Sequence, residues 1–443
     1  MTDKENETAA AGDLDPSFNG SGVLWFRFYK NEPNLASDVV VGKDERIYIG
    51  GTVIGRFAIA VLNKDGSFSN DFNGNGMLID SFHKTERSRG WRIALEEEKV
   101  LMLGTTEVPM AGGIRICPAI ARYHPDGVLD TTFGNTGYKV VNPEFEDGDV
   151  KFLMPNWQVN WSIHNKKIYV AAFRVRPGVE SSMVVTCLDS EGHIDTEFGN
   201  AGTIVVKHSR VPQLEHIRAT EEGIYLGGHM AYGAVGGRAF CRISLTGKLD
   251  TTYGTEGFII DDTPFSGVNA LPQQESPKLL GIGRNTRQEE GDQFIRYQGA
   301  LVSLEPGGSP DKEFNNGEPV FTEIDYATSW LFGAVQEDGR IVTLGETGDP
   351  SSLSPRNGSE KPALWDDPDR RNESALSNYR MAVGRYLKNG DLDTSFGKDE
   401  RGWITFNIND KAQSYGIAVQ PDNGILIVGN TGDYSVFVVR FKG

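Results

Sequence analysis

The sequence predicts an all-β chain: a seven-bladed β-propeller with four antiparallel strands per blade, its ring closed by an N-terminal strand pairing with the C-terminal strands. Three observations predict it. A short phrase of the form LDxxF occurs seven times, ending at Phe18, Phe72, Phe133, Phe198, Tyr253, Phe314 and Phe396. Recurrence at a period of tens of residues is the signature of a repeat architecture. Around each copy lie four short apolar stretches separated by DG, NG, PDG or PDN turns, the pattern of strands and hairpins. Finally, the two chain ends are complementary halves of one repeat.

The elements follow in order within each repeat. An apolar run such as DVVV (38–41), WRIAL (91–95), FGAVQ (332–336) or YGIAVQ (415–420) supplies the first strand. The second reads RIYIGG near Gly50, VLMLG at Gly104, KIYVAA at Ala171, GIYLGG at Gly227, LLGIG at Gly283, RIVTLG at Gly345 and GILIVG at Gly429. The third is a stretch such as FAIAVLNKDG, PAIARYHPDG or MAVGRYLKNG, and the phrase with the residues after it forms the fourth. Nothing sustains helical periodicity over a dozen residues. The 53 glycines, beside 38% hydrophobic residues, fit tight turns and close strand packing rather than disorder. A β-solenoid is the competing arrangement, but its coils are shorter and not built from hairpins.

The last repeat stops at VFVVRFKG without a phrase, and the chain opens with the missing piece, LDPSFNGSGVLWFRFYK. Joining them places 22–29 beside 436–441 as a clasp. Residues 1–12 are expected to be a disordered tail and 13–443 a single domain, interrupted by an insertion at 347–379.

The phrase LDxxFGxxG, the DG(K/R)I-hydrophobic-GG hairpin and the FAxAR strand together resemble the delta-60 repeat family, also described as a domain-of-unknown-function β-propeller of bacterial proteins. The resemblance covers about 13–443 and implies fold and bacterial origin, with no catalytic residues attached. The departures are Ser69 for the phrase aspartate, Tyr253 for Phe and Ala171 for Gly.

Composition excludes some partners. With 44 basic and 61 acidic residues the net charge is −17, which repels phosphate backbones and anionic headgroups, so neither nucleic acid nor membrane insertion is expected. Cys117, Cys187 and Cys241 sit in apolar runs and read as small buried hydrophobes rather than a disulfide framework. The polar start MTDKENETAAAGD is no secretory signal, so a cytoplasmic location is expected, with export by a signal-free route left open.

Residues that recur in every repeat build the repeat. Asp15, Asp130, Asp195, Asp250, Asp311 and Asp393 are therefore read as Asx turns rather than a ring of acid–base or metal groups. Arg122, Arg242, Arg385 and Arg440 share one position, filled elsewhere by Val61, Cys187 and Ser303, and are expected to pair with phrase carboxylates between blades. No HExxH, CxxC, GxSxG or phosphate loop is present, and no cofactor or metal is expected.

Function is expected where repeats differ. Phe314 and Phe396 are 82 residues apart against 54 to 65 elsewhere, and the interval carries Trp365 beside Asp366, Asp367, Asp369, Arg370 and Arg371. A Trp flanked by charges is suited to stack on a sugar or anchor a protein, so these six are the candidate ligand-binding residues. Smaller irregularities occur at 105–116, at 284–298 and at 154–164, where Trp157 and Trp161 read as core. The leading expectation is a non-enzymatic recognition or scaffold protein for a protein or glycan ligand. Alternatives are an enzyme of lyase, lactonase or glycosidase type working in the channel through Asp38, Arg92, His216, Arg218 and Asn269, or a component of a toxin or surface assembly.

Overall fold

The structure, a computed structural model, describes residues 10–82, 87–110, 113–142, 159–176, 179–231, 237–263, 266–274, 276–287, 296–348, 379–409 and 412–443. Among them the regular structure is strand, apart from two short 3-10 turns at Phe133–Asn135 and Asn315–Gly317. The all-β expectation and the four antiparallel strands per repeat are met. No helix among the described residues is long and apolar enough to cross a membrane.

Each repeat folds as a meander. The first runs Asn34–Val41, Ile47–Val53, Arg56–Leu62 and Met77–Asp80, every neighbouring pair antiparallel. Equivalent four-stranded sheets begin at Ser88–Glu96, Val159–His164 and Val211–Thr220. An eight-stranded sheet holds the next two repeats, whose strands starting at Gly267–Ala270 and Ala327–Val335 meet through one parallel residue pair, Tyr297 with Ala327. The last sheet contains Gln413–Val419, Ile425–Asn430, Val436–Phe441 and, outermost, Val23–Phe26 from the other end of the chain.

That final pairing is antiparallel, with Val23 opposite Val439 and Phe26 opposite Val436. Gly12 N–H donates to the Lys442 carbonyl at 2.8 Å, Lys442 N–H to Asp13 at 2.9 Å, and Gly397 N–H to Ala11 at 3.0 Å. The head of the chain is thus hydrogen-bonded to both of the last two repeats, starting two residues before position 13. Residues 1–9 lie outside the described residues.

One packing detail explains the second marker. In six repeats the first strand slips register by an extra residue, between Ala36 and Asp38, Gly90 and Arg92, Gln213 and His216, Val268 and Ala270, Trp330 and Phe332, and Ser414 and Gly416. Such a bulge drives a carbonyl toward the neighbouring strand. A Cβ on Gly104 would overlap the Arg89 carbonyl, and one on Gly345 would overlap that of Ser329. In the third repeat Val159 to His164 pairs without a slip, and there alanine (Ala172, opposite Val159) replaces the glycine.

The phrase aromatics are the wedges between repeats. All seven, from Phe18 to Phe396, are at most 3% exposed, so each contributes roughly 1.5–3 kcal/mol of apolar burial. Phe133 lies under Gly192 and Tyr253 under Gly308, turn glycines of the following repeat with φ of 80° and 91°. The residue after the aromatic then stitches the repeats together: Asn19 N–H to the Asp65 carbonyl, Asn73 to Asp126, Gly134 to Glu191, Gly199 to Thr246 and Asn315 to Asn389, at 2.7–2.9 Å.

Candidate functional site

An antiparallel meander sends its second-to-third hairpin and its link to the next sheet out of one end, and its other two turns out of the opposite end. The phrase-to-turn hydrogen bonds place the third-to-fourth turns of successive repeats beside one another, so the ends are shared along the molecule. The turn-bearing end carries the repeated DG turns. At the other end lie the strand ends that flank three of the irregular stretches, Met110 paired with Gly113, Arg287 with Arg296 and Gly348 with Tyr379, together with the start of the strand at Val159.

At the turn-bearing end the repeated carboxylates do structural work. Asp393 Oδ1 accepts the Ser395 N–H at 3.1 Å and hydroxyl at 2.6 Å, while Oδ2 accepts Arg385 Nε–H at 2.8 Å. Asp130 with Thr132 and Arg122, and Asp250 with Thr252 and Arg242, repeat the arrangement. Burial alone would raise the Asp393 carboxyl, but the Ser395 hydroxyl and the Arg385 charge outweigh it and hold it below the usual 3.8. The expected pairing between blades needs correction here, because these arginines bind the carboxylate eight residues on in their own repeat. Arg440 alone of the set crosses the chain ends, to Asp15. What reaches the next repeat is the remaining guanidinium face: Arg122 Nη2 meets Glu191 at 3.1 Å. Arg122 also lies 4.8 Å over the Phe133 ring.

Where the arginine is missing, another cation replaces it. Beside Cys187, Lys167 binds Asp195 at 2.6 Å; beside Ser303, Lys278 binds Asp311 at 2.7 Å. In the first repeat Val61 and Ser69 stand eight apart, so cation and carboxylate are lost together.

The first strands touch their counterparts in unbroken series, Asn34–Val41 contacting both Ser88–Glu96 and Gln413–Val419. The residue after each of the six bulges, and Asn160 in the third repeat, therefore occupies an equivalent position, opposite Gly50, Leu103, Ala171, Gly227, Ile282, Leu344 and Val428. Four consecutive repeats place Asp38, Arg92, Asn160 and His216 there, all half-buried. The other three place Ala270, Phe332 and Gly416. Asp38 Oδ2 accepts the Ile93 N–H at 3.1 Å and Oδ1 the Val39 N–H at 3.0 Å. Burial raises the Asp38 carboxyl, opposed by the Arg92 charge. His216 is pushed down to about 3 by burial and by the charges of Arg92 and His229, so its imidazole is neutral near pH 7.

Asp38, Arg92, His216, Arg218 and Asn269, grouped from the sequence, all lie on first strands, and Asp38, Arg92 and His216 share the equivalent position. The sequence missed Asn160, which becomes visible once first strands are aligned on the residues opposite them in the second strands. Arg218, two residues beyond His216 in the same strand, has a structural role: only 1% exposed, it donates to the carbonyls of Lys278, Gln274 and Ser276 at 2.7–3.1 Å and holds a neighbouring hairpin. Asn269 donates to the Trp330 carbonyl at 2.7 Å. Trp161 is core at 8% exposure, and Trp157 lies outside the described residues. The candidate ligand-binding residues Trp365, Asp366, Asp367, Asp369, Arg370 and Arg371 also lie outside them. All three cysteines are buried, burial pushing the Cys117 thiol up to about 11 and the Cys187 thiol to about 12. No group of three or more His, Cys, Asp or Glu among the described residues is placed to hold a metal.

Residues 111–133 match the family model described as "Domain of unknown function (DUF5122) beta-propeller". No curated protein matches the chain. Among solved structures, Drosophila Semaphorin 2a is similar at 8% identity over 95% of this chain and 75% of that one, with a TM-score of 0.46. The β-propeller domain of the Trilobed protease from Pyrococcus furiosus is similar at 9% identity, covering 92% of each chain, with a TM-score of 0.42. The α-L-arabinofuranosidase Arb93A from Fusarium graminearum is similar at 9% identity over 94% of this chain and 96% of that one, also with a TM-score of 0.42. Likeness this remote transfers no activity. The short family match and the succession of four-stranded antiparallel sheets together make this chain an all-β protein of β-propeller fold.

Proposed function

We propose that the seven repeats form a seven-bladed ring, closed head to tail, that recognises a protein or glycan through its loop-bearing end. The ring is supported by the serial contacts of the first strands and by the pairing of Val23–Phe26 with Val436–Phe441. The recognition reading is carried by one observation: the strand ends that flank the irregular stretches share one end, while the opposite end keeps the repeated turns. Loop ends on a rigid β-scaffold are where binding residues concentrate. A second feature agrees with it. Ile54 and Tyr434, on two second-to-third hairpins, are 49% and 48% exposed and hold left-handed backbones, with φ of 49° and 61°. A β-branched or bulky side chain is disfavoured in that conformation, so exposed apolar groups are kept there against local preference.

The test is a glycan and purified-protein array probed with the full chain and with a variant lacking 349–378. Recognition predicts a ligand whose binding falls on the deletion while the melting temperature holds. An array without ligands, together with a deletion that changes no phenotype, overturns it. The inner cluster of Asp38, Arg92 and His216 favours a second reading, an enzyme of lyase, lactonase or glycosidase type. Turnover abolished by His216→Gln with folding intact would select that reading over the first.

A further inference from the structure

We propose that the inner positions of the second to fourth repeats form a binding site for a small oxyanion, held by the Arg92 guanidinium, the Asn160 amide and the His216 imidazole. The argument begins with what these side chains leave unused. Most other buried arginines spend their charge on protein: Arg122, Arg242 and Arg385 on phrase carboxylates, Arg238 on Asp261 at 3.0 Å, Arg218 on three carbonyls. Arg92 makes a single long contact, Nη1 to the Ser37 carbonyl at 3.4 Å. Among the described residues no carboxylate lies within salt-bridge reach of it. Asp38 is the nearby acid, but both its oxygens are turned onto backbone N–H groups of Val39 and Ile93. Asp38 thereby acts as a positioning residue for the strand that carries Arg92.

The opposite wall is polarised in a fixed sense. Trp161 N–H donates to Asn160 Oδ1 at 3.0 Å, which orients the amide so that Nδ2 faces His216 Nδ1 at 3.4 Å. A neutral imidazole accepting at Nδ1 carries its proton on Nε2. That Nε2–H has no protein acceptor among the described residues. The strand that carries Asn160 packs against both the strand that carries Arg92 and the strand that carries His216. The three side chains therefore stand at equivalent positions on successive sheets, and the site offers N–H donors beside the Arg92 charge, part of which the Asp38 carboxylate offsets. Planar or tetrahedral oxyanions match that donor set, and guanidinium recognises both carboxylate and phosphate oxygens. Asp38, the neighbouring acid already satisfied by backbone, leaves the cationic donors free for an anion.

None of these residues is required by the fold, because three repeats place alanine, phenylalanine and glycine at the same position. The site is also independent of the loop-bearing end. Calorimetric titration of the full chain with inorganic phosphate and, separately, with glucuronate tests it. Phosphate alone binding indicates a free-phosphate site, and glucuronate alone indicates a sugar-acid site. Either supports an oxyanion site, provided that Arg92→Met weakens binding by about tenfold or more, the order expected for losing a charged hydrogen-bonding partner. His216→Gln, which keeps a side-chain N–H donor, should weaken it less, and serves as the second variant if Arg92→Met lowers the melting temperature. The variant lacking 349–378 should bind the anion as the full chain does, which separates this site from array binding at the loops. No saturable binding of either anion, or binding unchanged in both point variants, overturns the proposal.

Discussion

Arg385 and Asp393 illustrate the residue scale. Both side chains are nearly fully buried, at 4% and 6% exposure, and the ion pair is held by the Ser395 hydroxyl on the other carboxylate oxygen. Arg385→Val leaves a buried carboxylate short of its main counter-charge, and urea unfolding should register a loss of about 3 kcal/mol. The first repeat shows what a consistent replacement looks like, valine at 61 with serine at 69. Arg385→Val combined with Asp393→Ser should therefore recover most of that loss; a double variant no better than the single would refute the pairing logic. The same carboxylates set an acid limit. Asp15, Asp130, Asp195, Asp250, Asp311 and Asp393 are all held below the ordinary 3.8 in the folded chain. A depressed folded value gives stability that is complete above the unfolded value and is lost as pH falls through the folded one. Melting temperature should hold down to about pH 4 and drop below it, less steeply in the Asp393→Ser double variant. The aspartates were legible as turn-formers from the sequence because Asp with Ser or Thr two residues on is local chemistry. Their cations were less so: Lys167 and Lys278 reach their carboxylates across a sheet, and no spacing announces it.

At the scale of the strand and hairpin, the marker glycine and the bulge are one device. The extra residue in the first strand pushes a carbonyl into the space a Cβ would take on the second, so glycine and bulge occur or vanish together. Gly345→Ala should cost about 1–3 kcal/mol in thermal or urea unfolding, the usual penalty for overpacking a well-filled site. Ala172→Gly, opposite Val159 where the described strand pairs without a bulge, should cost only the backbone-entropy difference of about 0.5–1 kcal/mol. Equal losses for the two would mean that the bulge does not impose the glycine. The alternation of apolar residues and DG turns made the strands readable at once. The bulge was not readable, because an inserted residue in a short apolar strand looks like ordinary sequence until the partner strand is seen.

For the whole molecule, the decisive feature is how the ends meet. The head contributes an outer strand, backbone hydrogen bonds to two repeats and the Asp15–Arg440 pair, all lost together if it is removed. Deleting 1–30 should lower the melting temperature by many degrees in calorimetry; an unchanged melting curve would show that the clasp contributes nothing to stability. The division of labour between the ends of the sheets belongs to this scale too. Uniform turns at one end are stitched repeat to repeat, which leaves the hairpins at the other end free to vary in length without disturbing a neighbour.

By itself the sequence determined the local grammar: strand lengths, turn positions, the aspartate–hydroxyl turn, the buried aromatic and the complementarity of the chain ends. Each of these rests on interactions within a few residues or on exact recurrence. Tertiary structure alone decided that Asn160 stands with Asp38, Arg92 and His216 at equivalent positions of successive first strands. The four are 54 to 68 residues apart in the chain, and although the sequence picked out three of them, none announces the others. They become neighbours because the sheets pack first strand to first strand, a juxtaposition that depends on the whole assembly and leaves no mark on any one segment.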